Sequence, residues 1–149
     1  MTVDTFRRAR PVLLAWIVWS LLLHFGWELA QLPLYTLWRD PDFVHIAWSI
    51  AHCTGGDVLI AISTFVLTSA CLRRFDWPSG APLRGMAILL ASGVAYTAFS
   101  EWRNVYALGS WQYAQAMPTL WGIGLSPLMQ WLVVPTLTVW VVRRKSAPC

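Results

Sequence analysis

The chain has 149 residues, of which 57% are hydrophobic and 12% charged, with 11 tryptophans and a formal net charge of +4. An ordinary soluble domain is roughly 45–50% apolar and about 25% charged, and a globule of this size has too much surface for its volume to bury such an apolar chain. The composition therefore excludes most classes of soluble protein and indicates a single domain whose solvent is the lipid bilayer.

Four apolar stretches follow one another along the chain, and each is long enough to cross a bilayer as a helix. A helix needs about 20 predominantly apolar residues to cross the hydrocarbon core, and the stretches lack the alternation typical of a membrane barrel strand. The predicted spans cover residues 11–32, 44–72, 83–108 and 119–142. Pro11 is placed to open the first span and Pro33 to close it. The sequence therefore predicts an all-α, polytopic membrane four-helix bundle made by residues 1–149 as one domain.

The basic residues predict the orientation of the bundle. By the positive-inside rule, loops rich in Lys and Arg stay in the cytoplasm, so both termini are predicted to be cytoplasmic, in the cytoplasmic (inner) membrane of a bacterium. Because clusters flanking the membrane account for the net charge, no nucleic-acid partner is expected. Nine of the 11 basic residues form these clusters, and only Arg39 and Arg103 lie outside them. The nine are Arg7, Arg8, Arg10, Arg73, Arg74, Arg84, Arg143, Arg144 and Lys145.

The segments on the opposite, outer side are rich in aromatic residues. The loop at residues 109–118 contains Trp, Tyr and Gln, and we interpret it either as a lid over a cavity or as a loop that rests among the lipid headgroups. Tryptophans near the ends of spans are typical of the interfacial belt. On that basis we predict a belt made by Trp38, Trp111 and Trp121 on the outer side and by Trp77 and Trp140 on the inner side.

Polar residues gather in the outer half of all four predicted spans, and helical spacing puts those of each span on one stripe. Asp57 departs from this pattern because it lies about 140° from His52 around the helix, and the two glycines before it leave its direction open. The stripes consist of His24, Glu28 and Gln31, of His45 and His52, of Thr97, Glu101 and Asn104, and of Ser126 and Gln130. They meet at one depth, which predicts a polar pocket in the outer half of the bundle.

The two glutamates are the strongest candidates for function within these stripes. A single His or Gln in a membrane bundle usually joins helices by a hydrogen bond, but a carboxylate is costly in hydrocarbon. Glu28 and Glu101 are therefore predicted to face a hydrated pocket or a neutralising partner, which would be His24, His52 or Arg103. A purely structural network of ion pairs would place the same groups together.

Two carboxyl groups in such a pocket can divide the acid and base roles when one holds a proton and the other is ionised. The pair can then protonate an alkene in an apolar substrate and remove a proton elsewhere, while Trp faces stabilise the cation, and no cofactor is required. The sequence has no motif of serine hydrolases, zinc peptidases or nucleotide-binding proteins, and whether the protein is an enzyme stays open. We predict catalytic roles for Glu28, Glu101, His24 and His52, and ligand-binding roles for Asn104, Trp102, Trp131, Gln130, Tyr113 and Asp57.

Four segments resemble the pattern of the EXPERA superfamily of four-helix-core membrane proteins, which includes the emopamil-binding sterol isomerases. They are His24-x-x-x-Glu28, Ser100-Glu101-x-Arg103, the loop at residues 109–118 and the stretch from Trp131 to Pro135. The resemblance implies an acid–base, isomerase-like pocket or a cavity for a sterol or lipid, with matching positions at His24, Glu28, Glu101 and Trp131.

The chain departs from the EXPERA pattern at two places. Its second span carries His52 and Asp57 instead of a clearly placed glutamate, and Leu128 stands where the isomerases have an asparagine. Specific sterol isomerase activity is therefore not implied by the resemblance alone.

The same residues leave other functional classes open. Imidazole and carboxylate groups on neighbouring helices could ligate zinc, iron or a b-type haem, with His24, His45 and His52 as the nitrogen donors. A transport function would require a homo-oligomer, because one copy has no inverted repeat. An accessory subunit would use its surface for partner contacts. The isomerase-like interpretation expects no metal, and its expected partners are membrane lipids or an apolar small molecule.

Overall fold

The fold is a bundle of four long helices joined by short elements. The structure is a computed structural model that describes the backbone of residues 3–146 and the side chains of residues 10–144. Four of its helices are long and apolar enough to cross a membrane, and the predicted all-α class is confirmed. The helices are α1 (Val3–Gln31), α2 (Phe43–Leu72), the short α3 (Trp77–Gly80), α4 (Pro82–Trp102) and α5 (Leu125–Ser146).

The connections on the loop-rich side contain short regular elements. The 3₁₀-helical turns Leu32–Leu34 and Thr36–Arg39 follow α1, and a π-helical turn, Arg103–Leu108, continues α4. A two-stranded antiparallel hairpin of β1 (Thr119–Leu120) and β2 (Ile123–Gly124) precedes α5. These elements place the backbone of both connections at this side against the ends of the long helices.

Each long helix packs against two others, so that the order around the bundle is α1, α2, α4, α5. Successive long helices are antiparallel, because the first half of α1, the second half of α2, the first half of α4 and the second half of α5 meet in one apolar core. The core consists of Trp16, Phe65, Trp77, Leu89, Val139 and Val142.

The described basic residues of the predicted clusters lie at the same end of the bundle as this core. They stand near the start of α1, at the end of α2, in the first turn of α4 and at the end of α5: Arg10, Arg73, Arg74, Arg84, Arg143 and Arg144. The side chains of Arg7, Arg8 and Lys145 lie outside the described part of the chain. The antiparallel arrangement therefore gathers the described cluster residues at one end, as the sequence predicts.

The prediction that Trp77 belongs to an interfacial belt is wrong. The short helix α3 folds into the end of the bundle, where Trp77 is fully buried. The centre of its ring lies 6.0 Å from that of Trp16 and 5.6 Å from that of Phe65. Gly85 leaves room for the Trp77 ring, because a Cβ on residue 85 would overlap that ring. Trp77 is thus a core residue that closes one end of the bundle.

Two predicted span boundaries differ from the helix ends. Helix α1 begins at Val3, so Pro11 lies inside it and does not open it. Helix α5 begins at Leu125, after the predicted start at residue 119, because the β1–β2 hairpin occupies the intervening residues. Trp121 and Gly122 have φ values of 51° and 83°, and two central residues with positive φ are what a type I′ hairpin turn requires. The apolar run at this point therefore forms a turn before the helix starts.

Candidate functional site

The polar half of the bundle contains a cavity of about 1190 Å³. One face of α2 and one face of α4 form its walls, and the end of α1 and the start of α5 close it from behind. The turns after α1 and residues 109–112 form its mouth. Protein pockets for drug-sized ligands measure about 300–1,000 Å³, so this cavity has room for a larger molecule.

Four polar side chains from three helices form a cluster at the cavity wall and directly behind it, which we call the Gln130 cluster: His24 and Glu28 of α1, Asp57 of α2 and Gln130 of α5. Nε2 of Gln130 donates to Oδ2 of Asp57 at 2.7 Å and to Oε1 of Glu28 at 3.2 Å. The same nitrogen lies 2.9 Å from Nδ1 of His24, which is 3.4 Å from the Asp57 carboxyl. The cluster thus gathers two carboxyls and one imidazole around one amide nitrogen.

The Gln130 cluster contains more acceptors than its amide can serve. An amide nitrogen carries two hydrogens, but three acceptor atoms lie within 3.2 Å of Nε2. The carboxyls of Glu28 and Asp57 also contact each other, and two carboxylates this close repel. A proton on one carboxyl or on His24 relieves the repulsion and reduces the number of acceptors. The geometry therefore favours a cluster that retains a proton.

Gln31 connects the Gln130 cluster to the start of α5. Its Nε2 donates to Glu28 at 2.7 Å, and its Oε1 accepts hydrogen bonds from Ser126 at 2.9 Å and from Trp27 at 3.2 Å. Gln31 and Ser126 therefore join α1 to α5 by a hydrogen bond, which is the usual role of a single polar residue in a membrane bundle. This link also fixes the position of the Glu28 carboxyl.

His24 is fully buried behind the cavity wall. Its ring centre lies 5.2 Å from that of Trp131, which lines the cavity. Gly93 of α4 permits this position of Trp131, because a Cβ at Gly93 would overlap the indole. Nε2 of His24 has no hydrogen-bond partner among the described residues. His24 therefore reaches the cavity through Gln130 and Asp57.

Glu101 of α4 is a second carboxyl site in the same wall. The hydroxyl of Tyr113 donates to Oε2 of Glu101 at 2.6 Å and accepts from the N–H of Gly124 at 2.9 Å. Burial and the hydrogen bond to Glu101 raise the pKa of Tyr113, so that its hydroxyl remains a donor. The Tyr35 side chain lies beside the same carboxyl. None of the predicted neutralising partners, His24, His52 and Arg103, forms an ion pair with Glu101 within the described residues, where tyrosine side chains contact this carboxyl.

The loop at residues 109–118 lies at the mouth of the cavity, which its residues 109–112 line. Tyr113 and Tyr35 form an isolated antiparallel bridge, and the Ala114 N–H donates to the Leu34 carbonyl at 2.9 Å. Trp111, predicted as a belt residue, lines the cavity next to Gln112. These contacts favour the interpretation of the loop as a lid over an interpretation in which it rests on lipid headgroups.

Helix α2 places Asp57 and His52 in different environments. The helix is continuous through Gly55 and Gly56, so the angular separation of about 140° that the spacing predicts is retained. Asp57 joins the Gln130 cluster. His52 lines the cavity on the exposed side of α2, and its ring centre lies 6.1 Å from that of Trp48.

The remaining predicted site residues divide between the cavity and the outer surface. Asn104 lines the cavity and donates to the Ser100 carbonyl at 2.9 Å. Trp102 lies outside the cavity wall, half exposed, with its ring centre 6.3 Å from that of Phe99. The structure therefore brings Asn104 to the site and leaves Trp102 on the surface of α4.

Tyr35 is a cavity residue that was not predicted from the sequence. It lines the cavity and approaches both Glu101 and Tyr113. A signal for it exists in the sequence, because it lies seven residues after Glu28 and so extends the polar stripe of the first span by one turn. Pro33 obscures this signal by ending the predicted span before Tyr35.

The three histidines lie in three separate environments. His24 belongs to the Gln130 cluster, His52 packs near Trp48, and Nδ1 of His45 lies 2.7 Å from Oδ2 of Asp40 at the cavity mouth. Within the described part of the chain, no group of three or more His, Cys, Asp or Glu side chains could hold a metal ion. Within that part of the chain, the predicted nitrogen donors His24, His45 and His52 therefore do not form a metal-binding group of this kind.

Comparisons of this chain with family models, with curated proteins and with solved structures give no match.

Proposed function

We propose that the protein is an integral membrane protein that binds a lipid-like or isoprenoid molecule in this cavity and isomerises it by acid–base chemistry. The observation that carries the proposal is the presence of two carboxyl sites, the Gln130 cluster and Glu101, in the wall of one cavity. Ionisable groups inside a membrane are costly, so their grouping around a space of lipid size supports a functional role.

The proposed reaction moves a double bond and leaves the composition of the substrate unchanged. A proton held by Glu28 or Asp57 is transferred to one alkene carbon, and the resulting cation loses a proton from a neighbouring carbon to Glu101. The electrons of the broken C–H bond form the new double bond. The face of Trp131 stabilises the cation, and proton exchange with water restores both carboxyl sites.

The proposed setting is the cytoplasmic membrane of a bacterium, with both termini in the cytoplasm and the cavity in the outer half of the bundle. The gathering of the described basic residues at one end supports this orientation through the positive-inside rule. The EXPERA resemblance points to the same chemistry, and its matching positions His24, Glu28, Glu101 and Trp131 all lie at or directly behind the cavity wall.

Native mass spectrometry of the protein released from its membrane in a mild detergent tests the proposal. We expect the wild-type protein to carry a lipid-sized adduct, and the variants Glu28→Gln and Glu101→Gln to carry at least tenfold less of it. Asp76→Asn serves as the control, because Asp76 is exposed at the other end of the bundle and pairs with Arg74. Full adduct occupancy in both glutamine variants would contradict the proposal and make the two carboxyls structural.

A further inference from the structure

The cavity continues as a long groove between α2 and α4. The lining residues of α2 recur every three or four positions from His45 to Leu67, which is one helix face about 33 Å long at 1.5 Å per residue. On α4, the lining residues extend from Ser92 to Asn104. The groove therefore runs through most of a hydrocarbon core of about 30 Å, and it fits an elongated molecule.

The inner half of the groove offers apolar surface to a ligand. Leu59 and Leu67 line it, and the hydroxyls of Ser63 and Ser92 each donate to a carbonyl of their own helix at 2.8 Å. The side chains of Leu59, Leu67 and the groove residue Tyr96 are also exposed. The groove is thus open sideways, towards the hydrocarbon that surrounds a spanning bundle, and a hydrocarbon chain fits it.

The mouth of the cavity carries two arginines without acidic partners. Arg39 and Arg103 are the two basic residues outside the predicted cytoplasmic clusters, and both line the cavity. Neither forms an ion pair within the described residues. Asp40, which follows Arg39 in the sequence, contacts His45 at 2.7 Å. Guanidinium groups bind phosphate and carboxylate through paired N–H donors. The mouth is therefore suited to an anionic group.

We infer that the ligand is an anionic amphiphile, with a long hydrocarbon chain in the groove between α2 and α4 and a phosphate or carboxylate held by Arg39 and Arg103. This inference rests on the proposed function and names its substrate class. The Gln130 cluster and Glu101 lie between the mouth and the apolar half of the groove. An anionic head is held away from these carboxyls by repulsion, so the chain carbons near the head pass the acid and base sites.

Photocrosslinking in phosphatidylcholine nanodiscs tests this inference. The probe is hexadecyl phosphate with a diazirine at the end of its chain. We expect it to label α2 between Leu59 and Leu67 or α4 between Ser92 and Tyr96, and an excess of unlabelled hexadecyl phosphate to remove that label. Hexadecanol should compete at least tenfold less well, and inorganic phosphate alone should not compete.

Further competitors identify the source of the anionic group. Hexadecanoate distinguishes a carboxylate head from a phosphate head, and phosphatidylglycerol distinguishes a membrane phospholipid from a single-chain molecule. Competition by any of these anionic amphiphiles at the level of hexadecyl phosphate, with weak competition by hexadecanol, supports the inference.

A pair of double variants assigns the effect to the two arginines. We expect Arg39→Gln/Arg103→Gln to weaken hexadecyl phosphate competition at least tenfold and to leave hexadecanol competition unchanged. The control, Arg84→Gln/Arg143→Gln, removes two charges at the opposite end of the bundle and should behave as the wild type.

Two different failures can be told apart. Equal competition by hexadecanol and hexadecyl phosphate, or an unaffected Arg39→Gln/Arg103→Gln variant, would overturn the anionic head while the cavity still binds a chain. If none of the unlabelled competitors reduces the labelling of the groove, both this inference and the proposed binding function are overturned.

Discussion

Tyr113 connects three parts of the site through one hydroxyl. It donates to Glu101 of α4 and accepts from Gly124 of β2, and it lies in the loop that covers the cavity. A buried carboxyl without a basic partner requires hydrogen-bond donors, and Glu101 is only 6% exposed. The tyrosine explains how this carboxyl is accommodated in the wall of an apolar bundle.

Replacement of Tyr113 by Phe should destabilise the protein, because it leaves both Glu101 and the Gly124 N–H without this partner. We expect the free energy of unfolding to fall by about 1–3 kcal/mol, measured as a lower Tm in detergent by circular dichroism. Tyr96→Phe is the matched control, because the Tyr96 side chain is half exposed in the groove. An equal Tm for the two variants would mean that the hydrogen bonds of Tyr113 do not stabilise the fold.

Spacing predicted most residues of the Gln130 cluster but not how they connect. The four-residue spacing of His24 and Glu28 puts both on one face of α1, and both belong to the cluster. Spacing also gave the angle between His52 and Asp57, but it could not say which of them points to α1 and α5. That depends on how α2 rotates against its neighbours, and the pattern of a single helix does not contain this rotation.

At the scale of elements, close approach between α4 and its neighbours positions the site. Gly93 lies against Trp131 of α5, and Gly85 lies against Trp77 of α3. Small residues at helix contacts allow close packing in membrane bundles. Each of these glycines faces a tryptophan ring, so the packing of α4 against α5 and against α3 depends on the absence of a side chain at residues 93 and 85.

An alanine at Gly93 should therefore push α4 and α5 apart at the level of the cavity. We expect Gly93→Ala to lower the free energy of unfolding by about 1–3 kcal/mol, the usual cost of overpacking a core, measured by thermal unfolding in detergent. Gly26→Ala is the control, because no atom lies within 4 Å of a Cβ built there, and it should leave Tm unchanged or raise it slightly. A stable Gly93→Ala variant would show that the Trp131 contact can relax freely.

The hairpin before α5 illustrates a limit of hydropathy at this scale. Residues 119–124 are apolar enough to be merged with the fourth span, and the signal of a turn is confined to Gly122 and Gly124. The positive φ of Trp121 is not visible in the sequence, because a tryptophan is rare in that conformation. The hairpin places the Gly124 N–H within reach of Tyr113, which the predicted helix start would not have done.

In the molecule as a whole, one end of the bundle is a packed apolar core and the other end contains the polar cavity. One end packs tryptophan, phenylalanine and aliphatic side chains around the buried Trp77. The other end holds the cavity, the carboxyl sites and two arginines that form no ion pair with any described residue. Composition and charge clusters were sufficient to predict four antiparallel helices with polar groups at one end. The lid contacts and the closing of the core by α3 depend on long-range packing that local patterns do not encode.

If the carboxyl sites exchange protons with carbon atoms of a bound lipid, deuterium from the solvent should become bound to those carbon atoms. Membranes that contain the protein are incubated in D₂O, and the extracted lipids are analysed by mass spectrometry for deuterium bound to carbon. We predict uptake into one lipid species with the wild-type protein and with Asp76→Asn, and a loss of at least about 100-fold with Glu28→Gln or Glu101→Gln, as expected for removal of a general acid or base. Equal uptake with wild-type protein and with both glutamine variants, or no uptake at all, would contradict the account.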